Sequence, residues 1–179
     1  MDYLNDFTDD ERFVLVSLPL RVGVWMARLD NVKTLDQDEK KENRALMTVL
    51  EVLAGAKNAP FVAEVTSATM KGRPDWPHWV QGTDEAGLMV DIQRACRMVD
   101  ARLPAGTGRS FRGALWRLAK TIAQAYDEEN PDDLSTESLI GQAVVVLMGS
   151  FEGAMPDDPE NISGKEREAL KKLRSALKS

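Results

Sequence analysis

Apolar residues recur along this chain at helical spacing in nearly every segment. The densest run, Val14 to Leu29 (VLVSLPLRVGVWMARL), predicts the element around which the others are arranged. Thr8-Asp9-Asp10-Glu11 ahead of it is a capping box, and its three acids lie at the positive end of the helix dipole. Phe13, Val14, Leu15, Leu18, Leu20, Val22, Val24, Trp25, Met26 and Leu29 cover nearly the whole circumference. A helix apolar all round belongs at the centre of a bundle or in a membrane. Spanning a bilayer takes roughly 18 or more uninterrupted apolar residues. Ser17, Pro19 and Arg21 break this run, so a buried central helix is expected, bent or restarted at Pro19.

The same periodicity continues downstream. A second helix opens at Thr34 or Asp36 and carries Ala45, Leu46, Val49, Leu50 and Leu53 to Gly55. A third starts at Pro60, runs through Phe61, Val62, Val65 and Met70, and ends at Gly72 and Pro74. Arg73 to Gly82, RPDWPHWVQG, is expected to be a stiff loop with two large rings. Thr83 then caps a fourth helix with Leu88, Ile92, Ala95, Cys96, Val99 and Leu103 on one stripe, stopped by Pro104 and Gly106. A fifth begins near Ser110 with Phe111, Leu115, Leu118, Ile122 and Tyr126 inward. A sixth is capped by Ser135 and carries Leu139, Ile140, Ala143, Val144, Leu147 and Phe151. After a linker at 152–162, the capping box Ser163-Gly164-Lys165-Glu166 opens a terminal helix. Its apolar stripe is Ala169, Leu170, Leu173, Ala176 and Leu177, free to dock on its own bundle or against another chain.

The expected fold is all-α. It is a single domain of six to seven helices built from antiparallel hairpins: hairpin 8–55, middle helices and tryptophan loop 59–104, hairpin 110–151, then 163–179. Leu18–Leu50 and Leu115–Leu147 read alike as apolar helix, acidic turn and capped helix, with Asp30 opposite Asp127. Helix periodicity alone generates much of that match, so chance and a pseudo-two-fold duplication both remain open.

Composition narrows the function classes. At 179 residues, one domain buries about 70% of its unfolded surface, with no need of disulfides or metal to fold. Aromatics are only 6% of the chain, which fits an all-α domain, and the net charge of −6 argues against a nucleic-acid partner. The exception is 163–179, with six Lys or Arg against two Glu, so the remainder carries −10. A single cysteine, Cys96, forbids an internal disulfide, and MDYLNDFTDDER lacks the apolar core of a signal peptide. A cytoplasmic setting is expected.

The acidic turns are the first candidate chemistry. Asp30, Asp36, Asp38 and Glu39, joined by Glu42, cluster about one; Asp127, Glu128, Glu129, Asp132, Asp133 and Glu137 about the other. Converging carboxylates suit Ca²⁺ or Mg²⁺. The EF-hand template fails: counting from Asp30 puts Leu35 where glycine is needed and Lys41 where the bidentate Glu belongs. Capping and solubility explain the same residues more simply, and no cofactor is required.

Other residues set limits. His78 is the only histidine, which excludes paired-histidine zinc sites and Glu-x-x-His di-iron pairs; set between Pro77 and Trp79, it reads as a loop residue rather than the base of a Ser or Cys triad. Cys96 falls on a helix stripe and reads as a small core residue. Gly106-Thr107-Gly108-Arg109-Ser110 precedes a helix, but lacks the lysine of a phosphate loop and reads as a turn. The Trp76–Trp79 loop, with His78 between, either packs over the bundle end or anchors a protein partner.

The segment LPLRVGVWMARLDNVKTLDQDEKKENRALMTVL resembles the helix–acidic turn–helix units of the TerB-like, tellurite-resistance-type helical proteins. The likeness spans Leu18–Leu50 and, more faintly, Leu115–Leu147, with Asp30 and Glu39 the matching acids. It implies an all-helical fold and a metal-linked stress role. Asp30-Asn31 stands where the family has Asp-Gly, and the turn is longer. Two functions follow as expectations. One is a non-enzymatic adaptor that binds a protein partner or itself through Trp76, His78 and Trp79 or the last helix. The other is a divalent-cation protein acting through Asp30, Asp36, Asp38 and Glu39.

Overall fold

A computed structural model describes residues 2–29, 38–82, 84–125 and 162–178, giving the backbone alone at 38–45 and 125. The helix expected at its Ser135 cap, the second acidic turn and most of the linker lie outside the described residues. Among the described residues the chain is an all-α bundle.

The capping box at Thr8 forms in both directions. Thr8 Oγ1 accepts from Glu11 N–H at 3.4 Å, and Thr8 N–H donates to Glu11 Oε2 at 2.9 Å. It opens α1 (Asp9–Ala27), which runs through Pro19 without restarting. Proline supplies no N–H for the Leu15 carbonyl, yet packing on every side outweighs that single loss. Leu15, Leu18, Leu20, Val22 and Met26 are sealed from solvent, as are Ser17 and Gly23 in the same helix. α1 touches each of the next five helices, α2 to α6, as an all-round apolar helix must.

Those helices are α2 (Asp38–Ala54), α3 (Pro60–Lys71), α4 (Trp76–Val80), α5 (Glu85–Arg102) and α6 (Thr107–Ala125). α2 buries Leu46, Val49, Leu50 and Leu53. Leu46 lies so close to α1 that a Cβ on Gly23 would collide with its Cδ1, so glycine there sets the α1–α2 spacing. Pro60 takes the first-turn position of α3, and the ring of Phe61 meets Phe111 of α6 with centroids 5.5 Å apart. The chain start folds back onto α3, where Glu64 accepts from the N–H groups of Tyr3 and Leu4 at 2.9 and 2.8 Å.

Three boundaries differ from expectation. Arg73–Val80 is a 3₁₀ turn (Arg73–Asp75) running into α4, because Pro74 and Pro77 sit in first-turn positions that a helix tolerates. α5 is capped by Asp84, whose Oδ1 accepts from Gly87 N–H at 2.6 Å; Thr83 lies outside the described residues. α6 begins at Thr107, earlier than Ser110, because Gly106 takes φ +95° and turns the chain straight into it.

The last helix, α7 (Gly164–Lys178), starts on the expected box, Ser163 N–H to Glu166 Oε2 at 2.9 Å and Glu166 N–H to Ser163 Oγ at 3.2 Å. It docks on its own bundle across α5 and α6, burying Leu170, Leu173 and Leu177 completely. Of the two similar hairpins, the first helices α1 and α6 pack together at the centre. The stretch expected to pair with α6 lies outside the described residues.

Candidate functional site

Where α3 ends, the chain turns back over α1 and builds an aromatic corner. Trp76 is half-buried, with its Nε1–H donating to the Thr69 carbonyl at 2.9 Å and the Arg73 guanidinium over its ring at 5.9 Å. Thr69 in turn donates its hydroxyl to the Val16 carbonyl at 2.6 Å, fastening α3 to α1. Trp79 lies against Gly72, where a Cβ would strike the indole, so the ring fills a notch that only glycine leaves open. On its other side Phe13 meets Trp79 edge-on, with centroids 6.2 Å apart and planes at 89°. His78 and Pro77 project outward and are exposed.

Both indoles therefore have internal contacts, and the large apolar ring that the corner leaves open to solvent is Phe13. It is 51% exposed, one of two large apolar side chains in that state among the described residues, the other being Val90. The apolar run of α1 would place Phe13 with the core. The signal that places it outward is its phase: Asp9 and Asp10 precede it by four and three positions, on the same side of the helix.

The first acidic turn was expected to gather four carboxylates, Asp30, Asp36, Asp38 and Glu39, about a cation. Asp30 and Asp36 lie outside the described residues; Asp38 and Glu39 open α2 with side chains outside them. No group of three His, Cys, Asp or Glu able to hold a metal occurs among the described residues. Cys96 is sealed in the core, and burial raises its pKa to about 11, so the thiol stays protonated.

At the start of α6, an acidic side chain of α5 packs against the first turn. The Asp100 carboxylate lies against Gly108, too close for a Cβ there, and pairs with Arg112 through two bonds of 2.9 and 2.5 Å. That pairing holds Asp100 below the usual carboxylate range. The stretch expected to be a plain turn thus opens α6, and a carboxylate with no local sequence signal pins α5 to α6.

Among the described residues no helix is long and apolar enough to cross a membrane. Comparison with protein-family models, with curated proteins and with solved structures finds no match.

Proposed function

We infer that this chain is a cytoplasmic, non-enzymatic binding protein that engages a protein partner through the aromatic corner. The observation that carries the reading is Phe13, half exposed yet braced by Trp79. A lone apolar side chain on a surface needs no explanation. A ring held rigid by a second ring, on a helix fixed by the core, loses little conformational freedom when a partner covers it. Pro77 and His78 stand exposed beside Trp79, and Asp9 and Asp10 share the Phe13 side of α1, which supplies a polar rim.

The tryptophans are the wrong residues to remove in a test, because both brace the fold. Phe13→Ala and His78→Ala together strip the exposed part and leave the notch filled. In a pull-down from the native cytosol, the double variant is expected to lose proteins retained by the parent chain, with its melting temperature lowered by no more than the equivalent of about 0.5 kcal/mol. An unchanged set of retained proteins would refute the corner as the binding surface.

A further inference from the structure

The side of α7 turned away from α5 carries a line of positive charge. Arg167, Lys171, Arg174 and Lys178 follow at i, i+4, i+7 and i+11, which aligns them over roughly 16 Å. Two contacts identify that side as the α6 side. The Arg174 guanidinium lies over the Trp116 ring, 5.7 Å from its centroid, and Arg112 Nε donates to the Leu177 carbonyl at 2.7 Å. Lys172, on the other flank, meets α5 through Glu85 at 2.8 Å.

α6 presents the same sign along this seam. Arg109, Arg112, Trp116 and Lys120 stand at i, i+3, i+7 and i+11, one line of the helix, and the middle two are the residues that touch α7. Asp100 neutralises Arg112. Arg167, Lys171 and Lys178 are exposed and have no carboxylate within ion-pair distance among the described residues. Like charges at i, i+3 and i+4 repel, so the row costs α7 local stability that an anionic neighbour returns.

We propose that the α6–α7 seam is a docking site for an acidic protein segment, a run of Asp and Glu side chains laid along these cations. Charge complementarity selects an anion, and the rest of the surface selects its kind. No aromatic ring is open on the seam for base stacking, since Trp116 is fully buried. The leucines of α7 are committed to the bundle and leave no apolar face to enter a bilayer. The remaining −10 repels an extended polyanion more than a short acidic peptide that stays within the seam. This inference is independent of the aromatic corner.

The test is fluorescence anisotropy of a short labelled oligoglutamate peptide with the full chain, at low and at physiological ionic strength. Binding is expected to weaken with salt. It should fall roughly tenfold or more in Arg167→Glu/Lys171→Glu/Lys178→Glu, and by less when the same three become Gln. The Gln variant keeps the measurement meaningful if charge reversal disturbs the helix, which circular dichroism reports. A control of equal charge, Lys57→Glu/Lys71→Glu/Arg94→Glu, should bind nearly as the parent does. Equal loss in that control would overturn the proposal, as would undiminished binding in the seam variants or no binding to oligoglutamate at either salt. So would tighter, seam-dependent binding to phosphatidylserine vesicles or to oligouridylate.

Discussion

Arg102, at the end of α5, gathers the start of the chain around one guanidinium. It donates to Glu11 at 2.5 and 2.6 Å and to the Asp6 carbonyl at 3.1 Å, and lies over the Phe7 ring at 5.3 Å. Glu11 serves twice, since the same carboxylate closes the Thr8 capping box. Its pKa drops from an ordinary 4.5 to about 2, chiefly through the Arg102 hydrogen bond and then through the Thr8 N–H. A carboxylate depressed by folding contributes stability that is complete above its ordinary pKa and is lost as pH falls through the folded value. The melting temperature is therefore expected to decline between pH 4.5 and 2, and Glu11→Gln should flatten that part of the curve while lowering the plateau. A variant profile parallel to the parent's would remove Glu11 from the account. Half of this site was legible beforehand. Thr8 and Glu11 are three residues apart, and spacing alone names their bond; Arg102 is 91 residues from Glu11, and no local pattern points to it.

At the scale of elements, the all-helical class and the phase of the long helices were readable because burial imposes them. The all-round apolar α1 and the single stripes of α3, α5 and α7 each face what their periodicity requires. What differed had two causes, one local and one distant in sequence. Two prolines made 73–80 look like a loop, and they mark the first turns of two short helices instead. Arg21 looked like an interruption of α1, yet it is buried and reaches Asp91 of α5 at 2.7 Å. With side chains 10% and 27% exposed, this pair is too buried for solvent to replace either partner freely. Asp91→Ala should leave the arginine stranded and cost about 2–3 kcal/mol, below the fully buried range because the carboxylate keeps some water. Replacing both, Arg21→Met with Asp91→Leu, should recover most of that loss, because apolar packing costs no desolvation. Denaturant midpoints of the two single variants and the double decide it. Additive losses would mean that the two charges act separately and that the pair does not join α1 to α5.

At the scale of the whole molecule, the question is how a helix that follows a long stretch of chain becomes part of the bundle. The stripe of α7 was visible in the sequence, but the surface it covers was not, because docking depends on the shape that α5 and α6 make together. The structure closes that surface with three fully buried leucines, the Arg174–Trp116 stack and the Arg112 bond to the Leu177 carbonyl. Each such leucine contributes about 1.5–3 kcal/mol by burial alone, a large part of the total stability of a domain. Leu173→Ala, at the middle of the stripe, should cost roughly 2–4 kcal/mol, since the hole it leaves faces two helices that cannot both close on it. Removing 163–179 should go further, uncovering Trp116 and abolishing a single cooperative thermal transition. The charge variants of the seam leave these leucines in place, so the two sets of changes separate anchoring from binding. Thermal unfolding followed by circular dichroism distinguishes the cases. A truncated chain that melts as sharply as the full one would make α7 an appendage, and the buried leucines would then stabilise only the docking of that helix.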